Sequence, residues 1–256
     1  MDPLTASIVW YTGAGFLLEV FCYLAVRVIF PAEQDPWFTA DGMSQAFANP
    51  PIVWLALRAT WELRVDAETR WFGTTPESNL CAVLLIGRML SQIMVNMLKK
   101  GGLFDKKRVV YFYHHLIVIA VYWLGVTSGQ SHFFGSAMAL VESSNPCLGN
   151  MEVWRSCSKG WNERNIGLVA ANSVLWLAVF VVFRLINVPC VLWMWGSDVF
   201  GRPEETWAKA GLFERYGSPL AQLAILSLSA SWFPAALRGT IKKVKQFSSA
   251  GKQAKD

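Results

Sequence analysis

Three residues in this sequence could move protons inside apolar surroundings: His114, His115 and Glu142. The chain has three histidines, and two of them are adjacent within the apolar stretch YFYHHLIVIAVYWL. The carboxylate follows in a second apolar stretch, FFGSAMALVE, beyond a short polar turn. Ionisable groups in such segments are costly, so each is a functional-site candidate by default. Histidine suits general-base work near neutral pH because its unperturbed pKa is about 6.5. Glu142 could hold a histidine tautomer, as the third member of a triad does. No Ser or Cys nucleophile stands beside them, so direct transfer with base assistance is the simplest chemistry. A buried His–Glu pair of purely structural use is the competing reading.

Geometry supports a meeting of these groups. With residue 129 as the tip of a helical hairpin, His115 and Glu142 both lie roughly 20 Å from it, at about 1.5 Å per residue. An imidazole is therefore expected within direct or one-water reach of Glu142, in a cavity. Adjacent helical residues point about 100° apart, so His114 and His115 cannot face one atom alike. A second set, Arg88, Gln92 and Asn96, recurs every four residues in LCAVLLIGRMLSQIMVNML and shares one helix face. That face should look into the protein, either as a substrate-binding surface or as a polar helix–helix seam. The third histidine, His132, reads as an interfacial turn residue.

These segments belong to an integral membrane protein. The 256 residues are 54% hydrophobic and 16% charged, against roughly a quarter charged in soluble domains. Mean hydropathy is +0.33, and several apolar runs approach the twenty residues that cross a bilayer. Thirteen Trp and sixteen Phe suit aromatic belts. The expected fold is all-α: a polytopic transmembrane bundle of six or seven spans. The net charge of +5 and pI near 9.0 fit basic cytosolic loops, not nucleic-acid binding. The five scattered cysteines form no CxxC, so no metal site or redox pair is expected.

Along the chain, residues 1–49 read as a membrane anchor followed by an acidic loop over 31–49 carrying Glu33, Asp35 and Asp41. Within the anchor, Glu19 is mid-span and needs a partner. Pro50-Pro51 opens a segment whose second half alternates in sign through Arg58, Glu62, Arg64, Asp66, Glu68 and Arg70. Arg58–Glu62 and Glu62–Asp66 have helical pairing spacing. That segment is either a span buried in the bundle or an interfacial helix. The basic stretch KKGGLFDKKR at 99–108 is expected in the cytosol, as are residues 147–165 and a basic tail over 241–256. Residues 80–237 should hold at least five long helices and no sheet. Arg184 should lie toward the lumenal end of a span over 166–195, with a carboxylate, carbonyl or water partner. Pro189 should kink or end that span.

HH at 114–115, ESSNP at 142–146 and FRLINVP at 183–189, in that order and spacing, resemble the TLC-domain family over roughly residues 50–240. GRMLSQ at 87–92 falls where that family commonly reads G-Y-F-x-x-D, with Arg88 and Gln92 in place of Tyr and Asp. The resemblance implies an endoplasmic-reticulum membrane, a cytosolic C-terminus, membrane lipid as partner, and lipid chemistry or lipid sensing. Its ceramide-synthase branch uses acyl-CoA and carries a His-Asp dipeptide, which this chain lacks. The chain is accordingly placed outside that branch. Regulation of membrane lipid composition is the leading expectation. The alternative is a lipid acyltransferase with no bound cofactor, using acyl-CoA as co-substrate and His114/His115 as base. A transporter is disfavoured because the polar residues gather at one end. The sequence does not set an oligomeric state.

Overall fold

Three helices begin with the same two-residue device. Asp2-Pro3, Asp35-Pro36 and Thr75-Pro76 each put a side-chain oxygen at the N-cap and a proline in the first turn. The cap oxygens accept from the backbone N–H groups of Thr5 (2.9 Å), Phe38 (3.2 Å) and Ser78 (3.0 Å). Each satisfies a donor that the first helical turn leaves unpaired, and proline lacks the N–H that would otherwise be wasted. In the computed structural model, which describes residues 2–99, 109–157 and 159–253, these starts open α1 (Pro3–Ile29), α2 (Pro36–Leu63) and α4 (Pro76–Leu98). The short α3 (Ala67–Phe72) starts at Asp66.

The other long elements are α5 (Val109–Ser128), α6 (His132–Ala139), α7 (Asn145–Ser156), α9 (Ile166–Phe180), α10 (Asn187–Gly201) and α11 (Ser218–Gln253), with the short α8 (Lys159–Arg164) before α9. A 3-10 turn, Leu140–Ser144, fuses α6 to α7 into one rod. A π turn, Val181–Ile186, fuses α9 to α10, and a second, Phe213–Gly217, leads into α11. The described residues contain no strand, so the protein is an all-α bundle. Among the described residues, five helical stretches are long and apolar enough to cross a membrane: Pro3–Ile29, Ala67–Leu98, Val109–Ser128, Ile166–Gly201 and Phe213–Ala250. Their large side chains face outward, as Trp10, Leu17, Phe21, Leu24 and Val28 do on α1. That is the arrangement a bilayer, and not water, stabilises.

Several expectations need correction. Residues 36–49 are helix, not loop, because α2 starts at the Asp35-Pro36 cap and continues through Pro50-Pro51. Its buried face runs Gly42, Gln45, Asn49, Ile52, Ala56, Ala59 and Leu63, alternating threes and fours as a helix stripe must. Phe47, Trp54 and Trp61 are exposed on the opposite side. The helix stops at Leu63, so Glu62 and Asp66 do not share it; Asp66 instead caps α3, and the Thr69 N–H it accepts lowers its pKa. Arg58 and Glu62 do pair, at 3.2 Å. Residues 147–165 are largely helical, since Pro146 sits in the first turn of α7, where proline is tolerated. The basic tail continues α11, whose Lys, Ala and Gln content favours helix. Residues 100–108 of the basic loop, and residues 254–256 of the tail, lie outside the described residues.

Small residues set the closest approaches. A Cβ on Gly149 would lie 2.2 Å from the Gly42 carbonyl oxygen, so α2 and α7 touch backbone to backbone. A Cβ on Gly87 would meet the α1 backbone at Tyr11–Thr12, at 3.0 Å. The expected partner for Glu19 exists. Arg88 Nη1 donates to Glu19 in a short contact that joins α1 to α4, and both side chains are buried.

Candidate functional site

The hairpin tip falls where expected, with Gly129 and Ser131 both at positive φ between α5 and α6. From there α5 and the α6 rod run antiparallel, and α4 and α11 close the sides of a cavity of about 70 Å³. His114 and Glu142 both line it, among Leu85, Val118, Tyr122 and Met138. The wall is overwhelmingly apolar and contains no Lys or Arg.

Glu142 and Arg184 sit on the two irregular turns of their rods. Each irregular turn precedes a proline: Leu140–Ser144 comes before Pro146, Val181–Ile186 before Pro189, and Phe213–Gly217 before Pro219. Proline cannot donate to the carbonyl one turn back, and its ring crowds that carbonyl. A local 3-10 or π turn absorbs the mismatch, and such turns gather at functional sites. Pro189 therefore neither ends nor breaks the span; the rod continues to Gly201.

The turns bring two motifs together. Asn145 Nδ2 donates to Glu142 Oε2 at 2.5 Å. Arg184 donates from Nε to Ser144 Oγ at 3.2 Å and from Nη2 to Asn145 Oδ1 at 3.3 Å. Asn187 Nδ2 closes the same seam on the Ala137 carbonyl, at 2.8 Å. ESSNP and FRLINVP are thus the two faces of one hydrogen-bonded contact. Arg184 is mid-rod, not near its end, and the partner expected for it is the side-chain carbonyl of Asn145, with the Ser144 hydroxyl beside it. Its guanidinium also lies 5.6 Å from the Phe180 ring centroid and 6.0 Å from that of Trp232.

Glu142 does not hydrogen-bond either imidazole. Its carboxylate is taken by Asn145, three residues on, which a 3-10 turn stacks directly over it. His114 and Glu142 share the cavity without touching. His115 is turned away, as the 100° helical step requires: it is buried, does not line the cavity, and its Nδ1 has no hydrogen-bond partner. The two rings are 5.7 Å apart, tilted by 51°. His114 faces the charge of Arg184, and His115 that of Asp41, Arg88 and Lys99.

Arg88 and Gln92 belong to a separate assembly around Asp41. Arg88 Nη2 donates to Ser44 Oγ (2.9 Å), and Asp41 accepts from Gln92 Nε2 (3.1 Å) and Lys99 Nζ (2.8 Å). Asn96 is buried. None of the three lines the cavity with His114 and Glu142. The residues that sequence reading passed over are at the hairpin tip. His132 is buried, with Nδ1 hydrogen-bonded to Ser78 Oγ at 2.9 Å. Ser218 and Gln222, four apart on α11, complete that end. Polar residues at helical spacing in an apolar run were the available signal.

The family model described as the TLC domain matches residues 41–236, and the chain belongs to that family. The match begins inside α2 and ends inside α11, enclosing both turn motifs and the whole cavity. It makes this a membrane-lipid-related, multi-pass integral membrane protein. No curated protein matches the chain.

Proposed function

We propose that this TLC-domain protein regulates the lipid composition of an endoplasmic-reticulum membrane, with its C-terminus in the cytosol, by engaging a lipid chain in the cavity between α4, α5, α6 and α11. One observation carries the reading: His114 and Glu142, from different helices, open into a single apolar cavity. Apolar walls with few convergent polar groups are what a small amphiphile binds to. Arg88, Gln92 and Asn96 would then act on the site indirectly, through the packing of α4.

The acyltransferase reading has one observation in its favour. His114 faces the cavity with no hydrogen bond from the protein committing its ring. In that reading His114 takes the proton of an acceptor amine or hydroxyl as it attacks the thioester carbon of acyl-CoA. The C–S bond breaks and coenzyme A leaves as its thiol. Catalytic roles would fall to His114 and Glu142, with His115 holding its neighbour's helix turn in place.

The test is complementation of cells lacking the protein, followed by lipidomics of ceramides and phospholipids. The intact chain should restore the acyl-chain profile, and His114→Ala should not, at equal protein level. Purified protein given labelled acyl-CoA and a panel of amine and hydroxyl acceptors separates the two readings. Turnover selects the enzyme, and unchanged lipid profiles in the deletion discard both.

A further inference from the structure

The cavity has a second polar end, opposite His114 and Glu142. Counting along α5 from His114 to Val126, both in its wall, the two ends are roughly 18 Å apart at 1.5 Å per residue. At the tip end stand Gln222 and His132, both more than nine-tenths buried. Gln222 Nε2 donates to Ser218 Oγ at 3.2 Å, which leaves Oε1 without a partner. His132 Nδ1 is engaged by Ser78, and the Gly125 carbonyl also meets its ring. Buried polar atoms in native proteins are nearly always satisfied, so the unpaired Gln222 Oε1 in the wall of the cavity points to an occupant.

We infer that the tip end of the cavity, at Gln222 and His132, is a recognition site for the hydroxyl end of an uncharged single-chain lipid. This rests on the lipid-binding reading above and adds the orientation and chemistry of the ligand. Gln222 Oε1 can only accept, so the ligand must bring a donor. A hydroxyl does so. A carboxylate or phosphate is disfavoured because the wall holds no Lys or Arg to pair with it. The space between the four helices is narrow, about 70 Å³, and suits one slender chain and not a pair.

The experiment uses the full chain in detergent micelles and a dodecyl alcohol carrying a diazirine near its hydroxyl. After irradiation, the labelled residues are mapped by mass spectrometry. Labelling should fall on the α5–α6 tip and the first turns of α11. Unlabelled dodecanol should compete, and dodecyl methyl ether and dodecanoate should compete about five- to tenfold less well, the worth of one buried hydrogen bond. Gln222→Leu should lower labelling by a similar factor while the protein elutes as the intact chain does. Should that variant misfold, the alcohol-against-ether comparison decides on the unaltered protein. Labelling near His114 and Glu142, or equal competition by ether and alcohol, overturns the inference and leaves lipid binding intact. Absence of any competed labelling overturns lipid binding in the cavity as well.

Discussion

Arg184 and Glu142 are joined through Asn145, which accepts from the guanidinium at 3.3 Å and donates to the carboxylate at 2.5 Å. An amide is the side chain suited to this post, because it offers an acceptor and a donor on one planar group. The two charges come from different rods, and each sits on the irregular turn of its own. Asn145 therefore fixes the position of one cavity carboxylate relative to the adjacent helix.

Replacing Asn145 by Leu removes both hydrogen bonds and leaves two buried charges without their bridge. The expected loss is about 1–3 kcal/mol, seen as a lower unfolding midpoint in detergent. Arg184→Lys keeps the charge but not the fork that reaches Ser144 and Asn145 together, so it should lose about 0.5–2 kcal/mol. An unchanged midpoint in both variants would show that the contact carries no stability.

The Glu19–Arg88 pair predicts a different signature. Both side chains are buried, so Glu19→Leu leaves the guanidinium only the longer Asp41 contact at 3.4 Å and should cost roughly 2–4 kcal/mol. The double variant Glu19→Leu/Arg88→Met removes that charge, and much of that loss should return. Asp41 keeps Lys99 at 2.8 Å in either case. Additive losses in the double-mutant cycle would mean that the two residues are not coupled.

Much of the architecture was legible in the sequence, and the differences have two causes. Apolar periodicity located α1, α4, α5 and α11; the depth count matched His115 with Glu142, whereas it is the neighbouring His114 that lines the cavity with Glu142. Proline accounts for part of the difference: Pro50-Pro51 opens an expected segment and Pro189 marks an expected kink or end, yet each lies within a continuous rod. Neighbouring helices and local 3-10 or π turns satisfy the freed backbone groups in membrane bundles, which a single helix read alone cannot reveal. Partner choice was also hidden. Arg88 meets Glu19 from α1 and Asp41 from α2, the latter at 3.4 Å, and only the three-dimensional approach of those helices brings both to it.

Gly149 should tolerate no side chain. A Cβ there would overlap the Gly42 carbonyl oxygen at 2.2 Å, a backbone atom that cannot rotate aside. Gly149→Ala must push α7 off α2 and should lose about 1–3 kcal/mol, as overpacking does. Gly13 is the matched control, because nothing lies within 4 Å of its Cβ position in α1. Gly13→Ala should be neutral or stabilising by about 0.5–1 kcal/mol through helix propensity. The pair is compared by thermal unfolding in one detergent. Equal effects would contradict the backbone contact.

The two histidines should separate function from stability. His114 opens into the cavity, whereas His115 is buried behind it with Nδ1 unpaired. An unsatisfied buried polar atom costs about 1–3 kcal/mol, and an apolar group of similar shape removes that cost. His115→Leu should therefore fold as well as the parent chain or gain about 1 kcal/mol, and should keep the lipid profile in complemented cells. His114→Leu should also fold, because its ring holds no hydrogen bond that the bundle needs, yet it should lose the lipid profile. His114→Gln, which keeps a donor and an acceptor without a titrating proton, divides the remaining possibilities. Retained function would assign His114 to binding, and lost function to proton transfer. A His115→Leu chain that folds normally but fails to complement would reverse the assignment and place the working imidazole on the Asp41–Lys99 side.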